Sequence, residues 1–147
     1  MDGGSDDDTI YADGDGITLL GAGGDDVISA SGGDITAEGG GGNDRIRTGT
    51  GITLLAGGGD DVITASGGSI TAEGGGGNDR IRTGDGKDHV SGGPGQDSIA
   101  TGRGNDRVEA LDGHRDRVNC GPGKRDAVSA DSFDILIRCE QRKHAVP

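Results

Sequence analysis

GGGGNDRIR, TGDGKDHVS, GGPGQDSIA and TGRGNDRVE follow one another from Gly74 to Glu109, and their nine-residue period decides the fold. Asp79, Asp88, Asp97 and Asp106 hold the same place in each unit, with Ile81, Val90, Ile99 and Val108 two residues later. Glycine stands two residues before each aspartate (Gly77, Gly86, Gly95, Gly104) and four before it (Gly75, Gly84, Gly93, Gly102). The unit is G-x-G-x-D-x-U, with U aliphatic.

Glycines at alternate positions allow positive φ and close backbone approach, so each unit reads as a tight loop followed by a short strand, D-x-U-x. One unit cannot bury its single aliphatic side chain, and stacked neighbours must complete the core. Two units make a coil of eighteen residues with two strands and two loops, and aspartates one coil apart stack at about 4.8 Å. A bare column of carboxylates would repel itself. Calcium between successive loops removes the repulsion, because carboxylates and the carbonyls of glycine turns are the hard oxygen ligands it takes.

On these residues the chain resembles the RTX (repeats-in-toxin, haemolysin-type) calcium-binding family, whose repeat is GGxGxDxUx. The resemblance implies a parallel β-roll of secreted bacterial proteins that is unfolded without Ca2+ and folds on binding it. The competing reading is a disordered glycine-rich linker. Composition alone favours that competitor: 29% of the 147 residues are hydrophobic, there are one Phe, one Tyr and no Trp, and 34 are Gly. Such a chain, with a net charge of −12, cannot offset its conformational entropy by burial alone. The strict period is what restores an ordered, all-β solenoid.

The acidity excludes nucleic acid, whose phosphates need basic partners, and leaves cations as the natural ligands. No apolar run reaches the length of a membrane span, and the opening Met1-Asp-Gly-Gly-Ser lacks signal-peptide character. The resemblance implies a secreted or cell-surface protein, with a leader trimmed or a C-terminal export signal in use.

The register also runs back to the start. Asp8, Asp26, Asp44, Asp61 and Asp79 each precede an isoleucine by two residues (Ile10, Ile28, Ile46, Ile63, Ile81), at intervals of 18, 18, 17 and 18. They are expected on one edge of the roll, with Gly24, Gly42, Gly59, Gly77 and Gly95 supplying carbonyls beside them. In the alternate half-coils the aspartate places hold Ile17, Ile35, Ile52 and Ile70, and the aliphatic places hold Leu19, Ala37, Leu54 and Ala72. Isoleucine cannot ligate calcium, so the opposite edge should be closed by an aliphatic ladder. The large-small alternation of Leu19, Ala37, Leu54 and Ala72 lets stacked side chains interdigitate. The 17-residue interval is expected within residues 48–51, in a loop with no metal to hold its length.

Residues 16–50 recur almost unchanged as residues 51–85, a duplication of two coils. From Gly84 the calcium signature occupies both edges, with Asp97 continuing the first ladder and Asp88 and Asp106 starting a second. Sites are expected at 8/26, 26/44, 44/61, 61/79, 79/97 and 88/106, about six Ca2+ ions.

Residues 1–108 thus read as the calcium-binding roll and 109–147 as degenerate repeats and a C-terminal cap. Asp116 and Asp126 come after ten residues, and His114, Arg115, Lys124 and Arg125 place positive charge in those loops, so full calcium sites are not expected there. Phe133, Ile135, Leu136 and Ile137 suit a cover for the last coil. Cys120 and Cys139 are the only cysteines; in a chain resembling secreted proteins a disulfide is expected, with free buried thiols as the alternative.

Catalysis has little support, since His89, His114 and His144 stand apart and no nucleophile elbow or phosphate loop is present. The alternative function is a binding surface. Thr18, Thr36, Thr53 and Thr71 should project outward as one column that could order ice, although threonine is also a good strand residue. Arg45, Arg47, Arg80 and Arg82 should compensate carboxylates, or else bind an anionic extracellular polysaccharide or a second copy of the chain.

Overall fold

A computed structural model describes residues 1–49 and 52–144, and every regular element in them is a β-strand. In chain order these are β1 (Asp2–Gly4), β2 (Thr9–Asp13), β3 (Thr18–Gly23), β4 (Val27–Ser31), β5 (Ile35–Gly41), β6 (Arg45–Thr48) and β7 (Ile52–Gly58). Then come β8 (Val62–Ala65), β9 (Thr71–Gly76), β10 (Arg80–Arg82), β11 (Asp85–Gly86), β12 (His89–Ser91) and β13 (Ser98–Ala100). The last are β14 (Arg103–Gly104), β15 (Arg107–Ala110), β16 (Arg117–Asn119), β17 (Ala127–Ala130), β18 (Ile135–Ile137) and β19 (Gln141–His144).

The chain winds between two parallel sheets, contributing one strand to each per coil. One sheet has the order β1-β3-β5-β7-β9-β12-β15-β17-β19, and the other β18-β16-β13-β10-β8-β6-β4-β2. A small third sheet, β11-β14, joins two loops of one edge. Each strand is hydrogen-bonded only to the strands one coil before and after it. The result is a flat β-solenoid of about eight coils, the β-roll expected from the period. No helix of the described residues is long and apolar enough to cross a membrane.

Strand alternation fills the space between the sheets. Ile10, Ile28, Ile46, Ile63, Ile81 and Ile99 stack in register from one sheet. Leu19, Ala37, Leu54, Ala72, Val90 and Val108 stack from the other. Nearly all are sealed from solvent. The layer is only two side chains thick, so the large-small order of Leu and Ala sets how closely the sheets approach. Ile35, Ile52 and Ile70 are buried and Ile17 is half-buried at the loops of one edge, the expected aliphatic closure. The short coil is visible in the pairing of Ile35 with Ile52, while residues 50 and 51 of its loop lie outside the described residues.

At the C-terminal end the expected cover is replaced by another coil. Ile135, Leu136 and Ile137 form β18 and pair with Arg117, Val118 and Asn119. Alternation turns only Leu136 inward beside Val118, and Phe133 and Ile135 remain exposed. Cys120 and Cys139 form a disulfide with a Cα–Cα distance of 5.2 Å, buried in the last two coils. The arginine face also departs from expectation: among the described residues none of Arg45, Arg47, Arg80 and Arg82 forms an ion pair, and Arg107 with Glu109 does (3.0 Å). Their exposed positions, Arg45 and Arg80 in register with Val62 and Arg47 and Arg82 with Thr64, leave the side chains in water, where ion pairing contributes little.

Candidate metal centre

Each loop ends in an aspartate that is locked between coils by its own backbone. The Asp8 N–H donates to Oδ1 of Asp26 (2.8 Å), Asp26 N–H to Asp44 (2.9 Å), Asp44 N–H to Asp61 (2.6 Å), Asp61 N–H to Asp79 (2.9 Å) and Asp79 N–H to Asp97 (2.8 Å). The same column continues from Asp97 to Asp116 (2.8 Å) and from Asp116 to Asp134 (2.9 Å). On the other edge Ile70 N–H donates to Asp88 (3.0 Å), Asp88 N–H to Asp106 and Asp106 N–H to Asp126 (both 2.9 Å). The aspartate carbonyls are used as well, accepting from the next coil, as Arg45 N–H does to Asp26 and Val62 N–H to Asp44 (both 2.8 Å).

One oxygen per carboxylate is left over. Oδ2 of Asp26, Asp44, Asp61, Asp79, Asp88, Asp97, Asp106, Asp116 and Asp126 is buried and has no hydrogen-bond partner among the described residues. A buried acceptor without a donor carries its full desolvation cost. The surroundings make matters worse, because further acceptors converge on the same places. A side chain added at Gly21 would strike both Asp26 Oδ2 and the Gly39 carbonyl; at Gly39, Asp44 Oδ2 and the Ala56 carbonyl; at Gly74, Asp79 Oδ2 and the Gly92 carbonyl. At Gly3 the equivalent pair is Asp8 Oδ2 (2.6 Å) and the Gly21 carbonyl (2.9 Å). Carboxylate and carbonyl oxygens of adjacent coils are therefore crowded together, and a cation can meet both at once. Calcium fits this donor set, which is all oxygen and rich in carbonyls. Among the described residues no three acidic, histidine or cysteine side chains gather as a side-chain cage, so any ion here would depend on backbone oxygens.

Burial disfavours the charged form and raises Asp61 to about 7, Asp97 to about 6 and Asp116 to about 7, with the donated backbone N–H pulling each partly back and neighbouring aspartates pushing it up. Asp44, Asp79, Asp88, Asp106 and Asp126 are raised for the same leading reason.

The structure thus gathers the expected aspartates into two columns, with Asp8 only half-buried at the head of the first. Gly24, Gly42, Gly59, Gly77 and Gly95 all have positive φ, and the carbonyl of each of the first four lies where a side chain on the next would stand, so such a side chain would collide with the coil beneath. Carbonyls of Gly21, Gly39, Ala56 and Gly92 lie beside the second carboxylate oxygens of Asp8, Asp26, Asp44 and Asp79.

Asp116 and Asp126 join the columns, although their loops are longer. Arg115, Lys124 and Arg125 are exposed and do not take a cation's place; long cationic side chains keep their charge in water. The signal that could have found both aspartates is the aliphatic residue two places on, Val118 and Val128. Asp134 differs, because its second oxygen accepts from Asp131 N–H (2.7 Å).

A family model described as RTX calcium-binding nonapeptide repeat (4 copies) matches residues 20–52, 53–69 and 73–114. No curated protein and no solved structure matches the chain.

Proposed function

The chain belongs to the RTX calcium-binding nonapeptide repeat family, and from that premise we propose that it is a calcium-binding β-roll whose folding Ca2+ drives. The observation that carries the reading is the set of buried Oδ2 atoms without partners, each on an aspartate whose other polar groups are already used. We assign the ligands to Asp8, Asp26, Asp44, Asp61, Asp79 and Asp97 on one edge and to Asp88 and Asp106 on the other. Asp116 and Asp126 extend the two sets, giving about eight ions rather than six. Carbonyls of Gly21, Gly39, Ala56 and Gly92 complete the first-edge sites. The boundary at residue 108 then marks a change in loop chemistry within one continuous roll.

The role is structural or adhesive, outside the cell, where calcium is abundant enough for sites of modest affinity. The repeats supply scaffold rather than catalytic groups, and the chain is read as non-enzymatic. A surface role through the threonine column has less support: Thr18, Thr36, Thr53 and Thr71 do lie in register, but the column passes into His89, Arg107 and Ala127.

Circular dichroism during a calcium titration, reversed with EGTA, tests the reading. A cooperative gain of β signal that EGTA removes is expected at neutral pH. A β signal of equal size in EGTA and in calcium would overturn it.

A further inference from the structure

A second column of polar side chains runs outside the first-edge aspartates, one residue earlier in each loop. Asp25 N–H donates to Asp7 Oδ1 (2.8 Å), Asn43 N–H to Asp25 (2.7 Å), Asp60 N–H to Asn43 (2.7 Å), Asn78 N–H to Asp60 (2.7 Å) and Gln96 N–H to Asn78 (3.0 Å). These bonds point backward along the chain, whereas those of the inner aspartates point forward. Beside backbone bonds such as Gly42 N–H to the Gly58 carbonyl (2.8 Å), side chains therefore tie stacked loops in both directions, as Asp26 N–H to Asp44 and Asn43 N–H to Asp25 illustrate. The asparagines add a side-chain bond that a carboxylate could not donate: Asn78 Nδ2 reaches Asp60 Oδ1 at 3.2 Å and Asn43 Nδ2 reaches Asp25 Oδ1 at 3.5 Å. Asn43 also separates Asp25 from Asp60, so these two exposed carboxylates are not stacked directly.

The other edge is tied differently. Its equivalent residues are Lys87, Asn105 and Arg125, whose side chains form no hydrogen bond between loops among the described residues, and its loops are joined backbone to backbone where β11 pairs with β14, Asp85 with Arg103 and Gly86 with Gly104.

We propose that Asn43, Asp60 and Asn78 are positioning residues for calcium: by tying each loop to its predecessor they hold the inner carboxylates of the first edge at the spacing an ion needs. This rests on the ligand assignment above. Their side-chain bonds meet part of the ordering cost of binding in advance.

Calcium calorimetry on the full chain separates the outcomes, with saturating-calcium circular dichroism to verify that each variant folds. The variants are Asn43→Ala alone and combined with Asn78→Ala, Asn105→Ala on the other edge, Asn43→Ser, and Asp44→Asn as a ligand control. The double alanine variant loses four side-chain hydrogen bonds, two from backbone N–H groups and two to exposed carboxylates, and should bind calcium about tenfold more weakly, with the number of ions unchanged. Asn105→Ala should match the wild type, and Asn43→Ser should bind more tightly than Asn43→Ala because its hydroxyl keeps an acceptor. Equal effects at Asn43/Asn78 and at Asn105, or none at either, would overturn the proposal while Asp44→Asn still weakens binding. If Asp44→Asn also binds like the wild type, the ligand assignment falls and the positioning role with it.

Discussion

Asp26 and Asp44 meet across adjacent coils with the N–H of the first on Oδ1 of the second at 2.9 Å, while Oδ2 of Asp44 faces the same cradle as the Ala56 carbonyl. A buried carboxylate oxygen without a donor, with a carbonyl beside it, defines the demand of the site. Asp44→Asn keeps the bonded oxygen and puts an amide donor where Oδ2 was. The variant should therefore be more stable than the wild type in EGTA, by about 1 kcal/mol, and should bind calcium more weakly. Urea melts with and without calcium check both signs; a variant less stable in EGTA would contradict the cradle as described.

Acid should substitute for metal. In the metal-free fold Asp61, Asp97 and Asp116 are raised to between about 6 and 7, above the ordinary carboxylate value of an unfolded chain. Between those values the folded state binds more protons than the unfolded one, so stability falls as pH rises through this window. The chain in EGTA should gain β signal as pH drops from about 7.5 to 4.5 and lose it on return. Calcium should erase most of the dependence, since an ion competes for the same oxygens. A metal-free fold that weakens as pH falls across this window would refute the assignment.

Reduction should loosen one end. The Cys120–Cys139 bridge spans 19 positions and joins the last two coils, so opening it, or Cys120→Ala with Cys139→Ala, should cost about 3 kcal/mol by the loop-entropy argument. Ions bound through Asp26 to Asp97 should be retained, because those carboxylates lie in earlier coils, while binding through Asp116 and Asp126 should weaken. Hydrogen exchange should show the loss of protection concentrated in β16 to β19.

The aliphatic edge should matter to stability and not to metal count. Ile35 is 1% exposed and pairs with Ile52; Ile35→Ala should cost about 2–5 kcal/mol. Calcium stoichiometry by calorimetry should not change. A lost ion would mean that the two edges are more strongly coupled than nearest-neighbour stacking allows.

The period made the stacked residues legible. A residue every eighteen positions must lie above its predecessor, so the aspartate column, the isoleucine column beside it and the closure by Ile35, Ile52 and Ile70 could all be read from spacing. Spacing says nothing of which backbone oxygens turn inward, and so the carbonyls of Gly21, Gly39 and Ala56 beside the aspartates were not legible. Asp116 and Asp126 were obscured because their extra loop residues are taken up on the outside, where a counted interval lengthens without moving the carboxylate. Phe133 and Ile135 misled for the opposite reason: apolar letters cluster in the sequence, but strand alternation sends them to the outer face. The outward bonds of Asn43 and Asn78 leave no periodic trace beyond a polar residue before each aspartate.

Because every strand bonds only to strands one coil away, no residue depends on how many coils lie beyond its neighbours. The tandem copies 16–50 and 51–85 show what recombination can do with such a molecule. Inserting or excising a two-coil cassette changes reach by about 10 Å and leaves each surviving surface meeting the same kind of surface as before. Length is then heritable in discrete steps, and descendants of this gene can vary it without inventing a new core.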